Sequence, residues 1–426
     1  MRLFAAFFLI ALVSCNLGND ATLVPESLRS DVARETDPNL PTGDLAQLVA
    51  DNTDFGLALQ QAVAQPSANA VASPFSISEA LAMTWAGARG ATATQMASAL
   101  HFSLPAERFH SAFGSLDLTL TSQRDGLRIV NSLWGQQDYP FLTPFLDVLM
   151  AHYGAGLTLL DFRTEWEAAR VTINDWVAAQ TKDRIQQLIP SGVMDKTTRL
   201  VLVNAITFDA SWEVPFDANE TRDSYFRRED GSYAYAKTMH REGQIRGFAS
   251  TEYTAAELPY EGGQLSMVLV APAQGSLRTF EESLTSSELG RILQSLTTED
   301  SALSLPRFRI ASDTINLSEA LAEMGMPDAF DPGAADFSAM ADLSRTDGEN
   351  LFIQAVLHKA FIAVGEKGTE AAAATAVVMA GDGGCVGPVT PPQRRILSFD
   401  RPFLFFIRDV ATGTVLFLGH VAEPQE

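Results

Sequence analysis

Six histidines, at 101, 110, 152, 240, 358 and 420, are the residues of this 426-residue chain best suited to acid–base or metal chemistry. None lies in His-Glu-x-x-His, and no pair has zinc-ligand spacing beside a Cys or carboxylate. No Gly-x-Ser-x-Gly elbow presents a nucleophilic serine. The Gly cluster at 381–387 lacks the Lys and the following helix of a phosphate-cradling loop. Carboxylate pairs such as Glu281-Glu282 read as solvated surface. Cys385 has no nearby His or Asn to activate it and reads as a free, oxidisable thiol. His358 sits in an apolar strand-like run, where a hydrogen-bonded core histidine is the default, and Trp212 reads first as a core aromatic. The chain is not read as an enzyme, and no metal or cofactor is expected.

What stands out instead is a segment suited to changing its backbone partners. Residues 365–376 read Gly-Glu-Lys-Gly-Thr-Glu-Ala-Ala-Ala-Ala-Thr-Ala, followed by apolar Val377, Val378 and Met379. Strand side chains alternate between faces. Thr369, Ala371, Ala373 and Thr375 would point one way, and Glu370, Ala372, Ala374 and Ala376 the other. Such small side chains let the segment slide between two existing strands. Taken alone, the same composition also fits an Ala-rich surface helix or linker, because Ala is the best helix former.

The elements around it are of both kinds. Helical periodicity covers 45–64, 76–87, 91–100, 164–188, 278–296 and 316–324. Strand-like runs cover 128–134, 199–208, 264–271, 303–310, 353–364, 403–408 and 413–419. Helices concentrate early and strands late, which predicts an α+β arrangement around large, mostly antiparallel sheets. With 46% hydrophobic and 19% charged residues the composition is that of a globular protein. A net charge of -22 argues against nucleic acid, whose phosphates need clustered Lys and Arg.

Met1-Arg2 and the apolar run Leu3 to Val13 read as a signal peptide over 1–14, since a bilayer span takes about 20 residues. Leu12-Val13-Ser14-Cys15 is similar to a bacterial lipobox, with Cys15 as the acylated residue. An ordinary secretory peptide with an incidental Cys is the other reading. Residues 15–44, rich in Asp, Glu, Pro, Asn and Thr, read as a flexible tether, and 45–426 as one domain. Secretion across the inner membrane is expected, with a lipid anchor at the outer membrane or cell surface, or otherwise release outside the cell. Any membrane contact would be through that anchor alone. With only Cys15 and Cys385 present, no disulfide is expected to hold the fold.

Ordered motifs then give the chain a family. His358-Lys-Ala-Phe361 leads into Glu366-x-Gly368-Thr369-Glu370-Ala371, followed by Asp400-Arg-Pro-Phe403 and Gly413-x-x-Leu416-Phe417-x-Gly419. Upstream stand Asn69-Ala-Val-Ala-Ser73-Pro-Phe-Ser76-Ile77, Asn131-Ser-Leu-Trp134, Asn174-Asp-Trp176 and Leu202-Val-Asn204-Ala-Ile206-x-Phe208 with Trp212, Phe216, Thr221 and Phe226. Leu305-Pro-x-Phe308, Gly325-Met326-x-x-Ala329-Phe330 and Ala335-Asp-Phe337 complete the set. Together they resemble serpins, the serine protease inhibitor superfamily, over about residues 45–425.

That resemblance implies a serpin fold of three β-sheets, about nine helices and an exposed reactive-centre loop over about 366–395. It implies a monomeric suicide-substrate inhibitor of serine, and also papain-like cysteine, endopeptidases. The target protease would be trapped as a covalent acyl complex when the cleaved loop inserts into the central sheet. The hinge would be Glu366, Gly368, Thr369, Glu370, Ala371, Ala372, Ala373, Ala374 and Thr375, whose small inward residues match inhibitory members. A non-inhibitory binding protein on the same fold is the alternative. Ser73, Ser76, Asn204 and His358 match the polar "shutter" beneath the central sheet, and Trp212 the "breach" where insertion starts. Counting by the usual family register from Glu366 puts the reactive bond at Asp382–Gly383. The loop is longer than usual before Pro402, and a shift of two or three places puts Met379 or Ala380 at the bond instead. One departure is Thr181-Lys-Asp-Arg-Ile185, where the family has Gly in place of Asp183; a local loop change is expected there.

Overall fold

Apolar strands set the framework, and helices cover their faces. The computed structural model describes residues 25–65, 67–121, 126–346, 348–369 and 394–425. Strands are labelled in chain order. The central sheet runs β1 (Glu26–Leu28), β4 (Leu157–Leu160), β3 (Leu127–Gln136), β5 (Leu200–Phe208), β14 (Val356–Gly365), β15 (Gly368–Thr369) and β6 (Ala210–Ser211), with β12 (Phe308–Ala311) and β13 (Ile315–Asn316) also paired to β14. A second set runs β16 (Arg395–Ser398), β11 (Thr297–Pro306), β8 (Tyr233–Ala249), β9 (Tyr253–Pro259), β10 (Leu265–Pro272), β17 (Phe403–Asp409), β18 (Val415–Val421) and β2 (Ala70–Ala72), with β7 (Arg222–Arg227) on β8. The long β8 pairs with β7 and β11 and, at its end, with β9. It therefore links two smaller sheets into one pairing path, which with the central sheet accounts for the three expected sheets.

Nine α-helices lie among the described residues: α1 (Asp44–Val63), α2 (Pro74–Trp85), α3 (Gly90–Ala99), α4 (Ala106–Thr121), α5 (Thr143–Val148), α6 (Phe162–Gln180), α7 (Leu277–Ser283), α8 (Ser286–Ser295) and α9 (Ser318–Glu323). Their starts are chemically marked. Ser73, Asp161, Ser276 and Thr285 each accept a backbone N–H of the first turn, and Pro74 opens α2.

β5 shows why the central strands read as unbroken apolar runs. Leu200, Leu202, Ile206 and Phe208 pack into the main core, while Val201, Val203 and Ala205 pack with Ala169, Ile173 and Val177 of α6. Asn204 interrupts that run with a buried amide on the main core side, over α2.

Several expectations need correction. The segment expected to be a tether is, from Glu26 onward, docked on the domain: β1 pairs with β4, and Arg34 bonds Asp117. Its polar composition serves specific contacts with the body. The helix expected over 164–188 stops at Gln180, and the one over 278–296 is two helices parted at Leu284 and capped afresh by Thr285. The motif departure has its local consequence, because Lys182 and Asp183 both take left-handed backbone conformations (φ 51 and 61). Glu281 is not solvated surface. It turns inward from α7 and meets His420 Nδ1 at 2.7 Å, both side chains buried. Only Glu282 is at the surface, beside Arg278.

Candidate functional site

Two polar constellations flank the line where β5 and β14 meet. These strands are parallel neighbours over a short stretch, from Leu202 opposite Val356 to Ile206 opposite Ala360. Above it they part. The chain leaves β14, turns through Glu366-Lys367 and re-enters as β15, antiparallel to β14 on one side and to β6 on the other. Gly368 lies opposite Gly365 and Ser211, and Thr369 opposite Val364 and Ala210. Gly368 and Thr369, two of the expected hinge residues, are thus already strand residues inside the sheet.

The register explains the lower constellation. Asn131 of β3 lies opposite Asn204 of β5, which lies opposite His358 of β14. Three polar side chains stand in one row across three strands, over the N-terminus of α2. His358 Nε2 accepts the Ser73 backbone N–H at 3.3 Å, so the ring proton resides on Nδ1 and is donated to Asn204 Oδ1 at 2.6 Å. Asn204 Nδ2 donates to Ser76 Oγ (2.5 Å) and Asn131 Oδ1 (2.8 Å). Burial holds the His358 pKa down to about 4, so the ring is neutral. The structure brings Ser73, Ser76, Asn204 and His358 together. It adds Asn131, which stood in a quoted motif without a role, and Glu79, whose Oε2 accepts from Asn131 Nδ2 at 2.5 Å. Glu79 went unread in the sequence, although a carboxyl on an apolar helix face was an available signal.

The upper constellation holds the turn from Gly365 to Thr369. Trp212 is buried and stacks on Tyr260 with centroids 4.5 Å apart. Its backbone N–H donates to the Lys367 carbonyl (2.7 Å) and its indole Nε1–H to the Gly365 carbonyl (2.9 Å). Tyr260 Oη meets Thr369 Oγ1 at 2.7 Å in a fully buried contact. Glu366 accepts Thr221 Oγ1 (2.6 Å) and Arg307 Nε (2.7 Å) and Nη2, while its own carbonyl accepts the Phe216 N–H. Burial would raise the Glu366 pKa, but the Arg307 and Thr221 bonds outweigh it and hold the carboxyl below its ordinary range. Tyr260 and Arg307 carried no sequence signal, because they are distant in the chain and ordinary in their local context.

Gly368 is required where it lies. A Cβ there would sit 2.1 Å from the Ala210 carbonyl oxygen and 2.7 Å from Ser211 Cα, at φ +157. Of the remaining expected residues, Glu370 to Thr375, Met379, Ala380, Asp382, Gly383 and Cys15 lie outside the described residues. Among the described residues no three His, Cys, Asp or Glu side chains converge to hold a metal ion.

Comparison with known proteins agrees with this architecture. The family described as serpin (serine protease inhibitor) matches residues 50–424. Leukocyte elastase inhibitor A of Rattus norvegicus is 37% identical over 393 residues, spanning 89% of this chain and all of the relative. A serpin-like protein of Thermococcus kodakarensis is 35% identical, over 96% of this chain and 93% of its own. The crystal structure of tengpin, a thermophilic serpin in the native state, superposes with a TM-score of 0.80 at 26% identity, covering 94% of this chain and all of that one.

Proposed function

Because the chain belongs to the serpin family of protease inhibitors, we propose that it traps its target protease by inserting its own cleaved loop between β5 and β14. The observation that carries the reading is the register of β15. Six residues on from Thr369, the antiparallel pairing with Val364 brings Thr375 opposite His358. The pairing with Ala210, continued by the same six, brings it opposite Asn204. Both edges agree on one slot. It is the slot where His358 and Asn204 now bond each other.

Insertion exchanges one short parallel ladder for two antiparallel ones, the better-aligned pairing. A dozen or so residues gaining partners on both sides, at about 0.5–1.5 kcal/mol net per hydrogen bond, supply on the order of 10 kcal/mol. The polar row lowers the barrier, since Asn204 and His358 have new partners to bond as they separate. Thr369 points into the core. By the two-residue period Ala371, Ala373 and Thr375 follow it inward, all small, while Glu370 stays outside.

The chemistry begins on the protease. Its nucleophilic oxygen or sulfur attacks the scissile carbonyl, the C–N bond breaks, and the new amine leaves with a proton. The loop stays as an acyl ester or thioester until water hydrolyses it. Insertion carries the acylated protease along before that hydrolysis. Asp382–Gly383 is the bond given by the family register, and Met379–Ala380 the alternative. The run Val377 to Ala380 suits an elastase-like or subtilisin-like pocket, and several mammalian relatives are named leukocyte elastase inhibitors. Cys15 is proposed as the lipid attachment site. From it the chain to the docked strand at Glu26 can reach at most about 40 Å.

The test is incubation with elastase-like, subtilisin-like and acid-cleaving proteases. A covalent complex that survives SDS is expected, together with a released C-terminal fragment whose mass fixes the bond. Ala371→Pro and Ala373→Glu should be cleaved without complex formation. Cleavage of the parent without any complex, or full inhibition by either variant, would overturn the mechanism and leave a serpin-fold binding protein.

A further inference from the structure

The polar row at His358 does not end at Glu79. Glu79 of α2 faces Asp117 of α4, both side chains buried, and Asp117 Oδ2 accepts Arg34 Nη2 at 2.5 Å. Arg34 belongs to the docked segment that precedes α1. A continuous chain of contacts therefore runs Arg34, Asp117, Glu79, Asn131, Asn204, His358. It begins on an N-terminal strap at the sheet edge and ends at the strand pair that must part for insertion.

The strap is fixed independently. β1 pairs with β4 from Glu26 opposite Leu159 to Leu28 opposite Leu157. Ser30 Oγ bonds Asp147, the Glu35 N–H donates to the Ala151 carbonyl (2.7 Å), and the Glu35 carboxylate takes Ser111 Oγ (3.0 Å) and lies 3.3 Å from His152 Nδ1. Gly154 leaves room for the Arg34 side chain, for a Cβ there would meet Arg34 Cδ at 2.9 Å. Strand pairing and anchoring contacts on both sides of residue 34 thus aim its guanidinium at Asp117.

Two buried carboxyls facing one cation cannot both ionise cheaply. The other groups around them bring no positive charge. The buried Tyr153 phenol is held protonated by burial and by the two acids. His110, bonded to it at 2.8 Å, is neutral because burial and His152 depress its pKa to about 3. Burial likewise lowers the His152 pKa, with Glu35 opposing. Burial and Asp117 push the Glu79 pKa well up, and burial also raises that of Asp117, against Arg34. The consistent arrangement is an ionised Asp117 on Arg34 and a protonated Glu79. One Glu79 oxygen then donates to Asp117, and the other accepts Asn131.

We propose that Arg34 is a positioning residue for loop insertion, setting the charge on the buried Asp117–Glu79 pair that holds Asn131 and Asn204 and so governing how readily β5 and β14 separate. This inference rests on the insertion reading for its consequence. Its test reads the intact protein without a protease, so the two can fail separately. Amide hydrogen exchange is measured at residues 202–206 and 356–360, with 267–270 of β10 as the distant control, for the parent, Arg34→Gln, Arg34→Lys and the double variant Arg34→Gln/Asp117→Asn. Losing a bond to a charged group predicts about tenfold faster exchange or more in the central ladder of Arg34→Gln, with the control unchanged. Lys should restore most of the protection. The double variant, which removes both charges, should restore it as well. A carboxyl whose folded pKa is raised contributes stability that is lost as pH rises, and removing the cation extends that loss upward. Exchange in Arg34→Gln should therefore accelerate from pH 6 to 9 more steeply than in the parent. Equal exchange in parent and Arg34→Gln would overturn the proposal. So would acceleration spread equally to the control ladder, or failure of the double variant to recover.

Discussion

Replacing Gly368 by Ala puts the most direct strain on the hinge. The added Cβ would lie 2.1 Å from the Ala210 carbonyl oxygen, 2.7 Å from Ser211 Cα and 2.9 Å from the Ala210 carbonyl carbon. All three are backbone atoms, so no rotamer change relieves the contact, and β15 must lift away from β6. Lifting forfeits the pairing of Gly368 and Thr369 with Ser211 and Ala210 and strains the buried Tyr260–Thr369 bond. Two or three hydrogen bonds at about 1 kcal/mol each, with a buried phenol left poorly paired, come to on the order of 3 kcal/mol. At about 2.1 cal/mol/K of unfolding entropy per residue, a domain of this size would lose roughly 4 °C in melting midpoint. Gly365 is the internal control. It pairs with Gly368, but its own Cβ would meet nothing within 4 Å, so Gly365→Ala should stay within about 0.5 kcal/mol of the parent. Circular dichroism melting of both variants, with amide exchange at Thr369, makes the comparison. Covalent complex yield with protease should also fall for Gly368→Ala, because the inserted strand must pass the same carbonyl. A Gly368→Ala protein that melts within 1 °C of the parent and keeps the Thr369 amide protected would refute the account of the hinge.

Other perturbations follow from the same contacts. Trp212→Phe keeps an aromatic ring against Tyr260 but removes the 2.9 Å bond to the Gly365 carbonyl, which should cost about 1 kcal/mol and speed amide exchange at Thr369 relative to the distant β10 ladder. His358 binds a proton only near pH 4 when folded but near its ordinary 6.5 when unfolded, so its contribution to stability is full above pH 6.5 and is lost as pH falls from there towards 4. At about 1.4 kcal/mol per unit, His358→Gln should shrink the stability difference between pH 7.5 and 5 by about 2 kcal/mol in urea titrations; an unchanged difference would contradict the neutral, buried ring. Asp183→Gly, at φ 61, should raise stability by up to about 1 kcal/mol in the same titrations, since only Gly takes that conformation without strain.

The sequence carried the site unevenly, and particular residues show why. Ser73, Ser76, Asn204 and His358 were legible through the family motifs that contain them, and His358 also as a polar residue in an apolar run. Glu366 and Gly368 were legible through their place before the Ala-rich stretch. Their partners were not. Arg307 and Tyr260 are unremarkable in their own segments and matter only because the fold brings them within 3 Å of Glu366 and Thr369. Asp117 looked like any helix carboxylate until α4 turned it inward against Glu79. The tether expectation failed for the same reason, since Asp, Glu and Arg near a terminus read as solvated unless their partners are known.

Local pattern alone indicated most of the helices and strands and, through its ordered motifs, the family. Each of these depends on residues close together in the chain, where period and side-chain size decide the outcome. The tertiary structure decided that Gly368 and Thr369 already lie within the sheet, that Asn131, Asn204 and His358 form one row, and that Arg34 reaches that row from the N-terminal strap. Those facts depend on strand register between segments far apart in the chain. Register is chosen by packing the whole core at once, so no single segment encodes it.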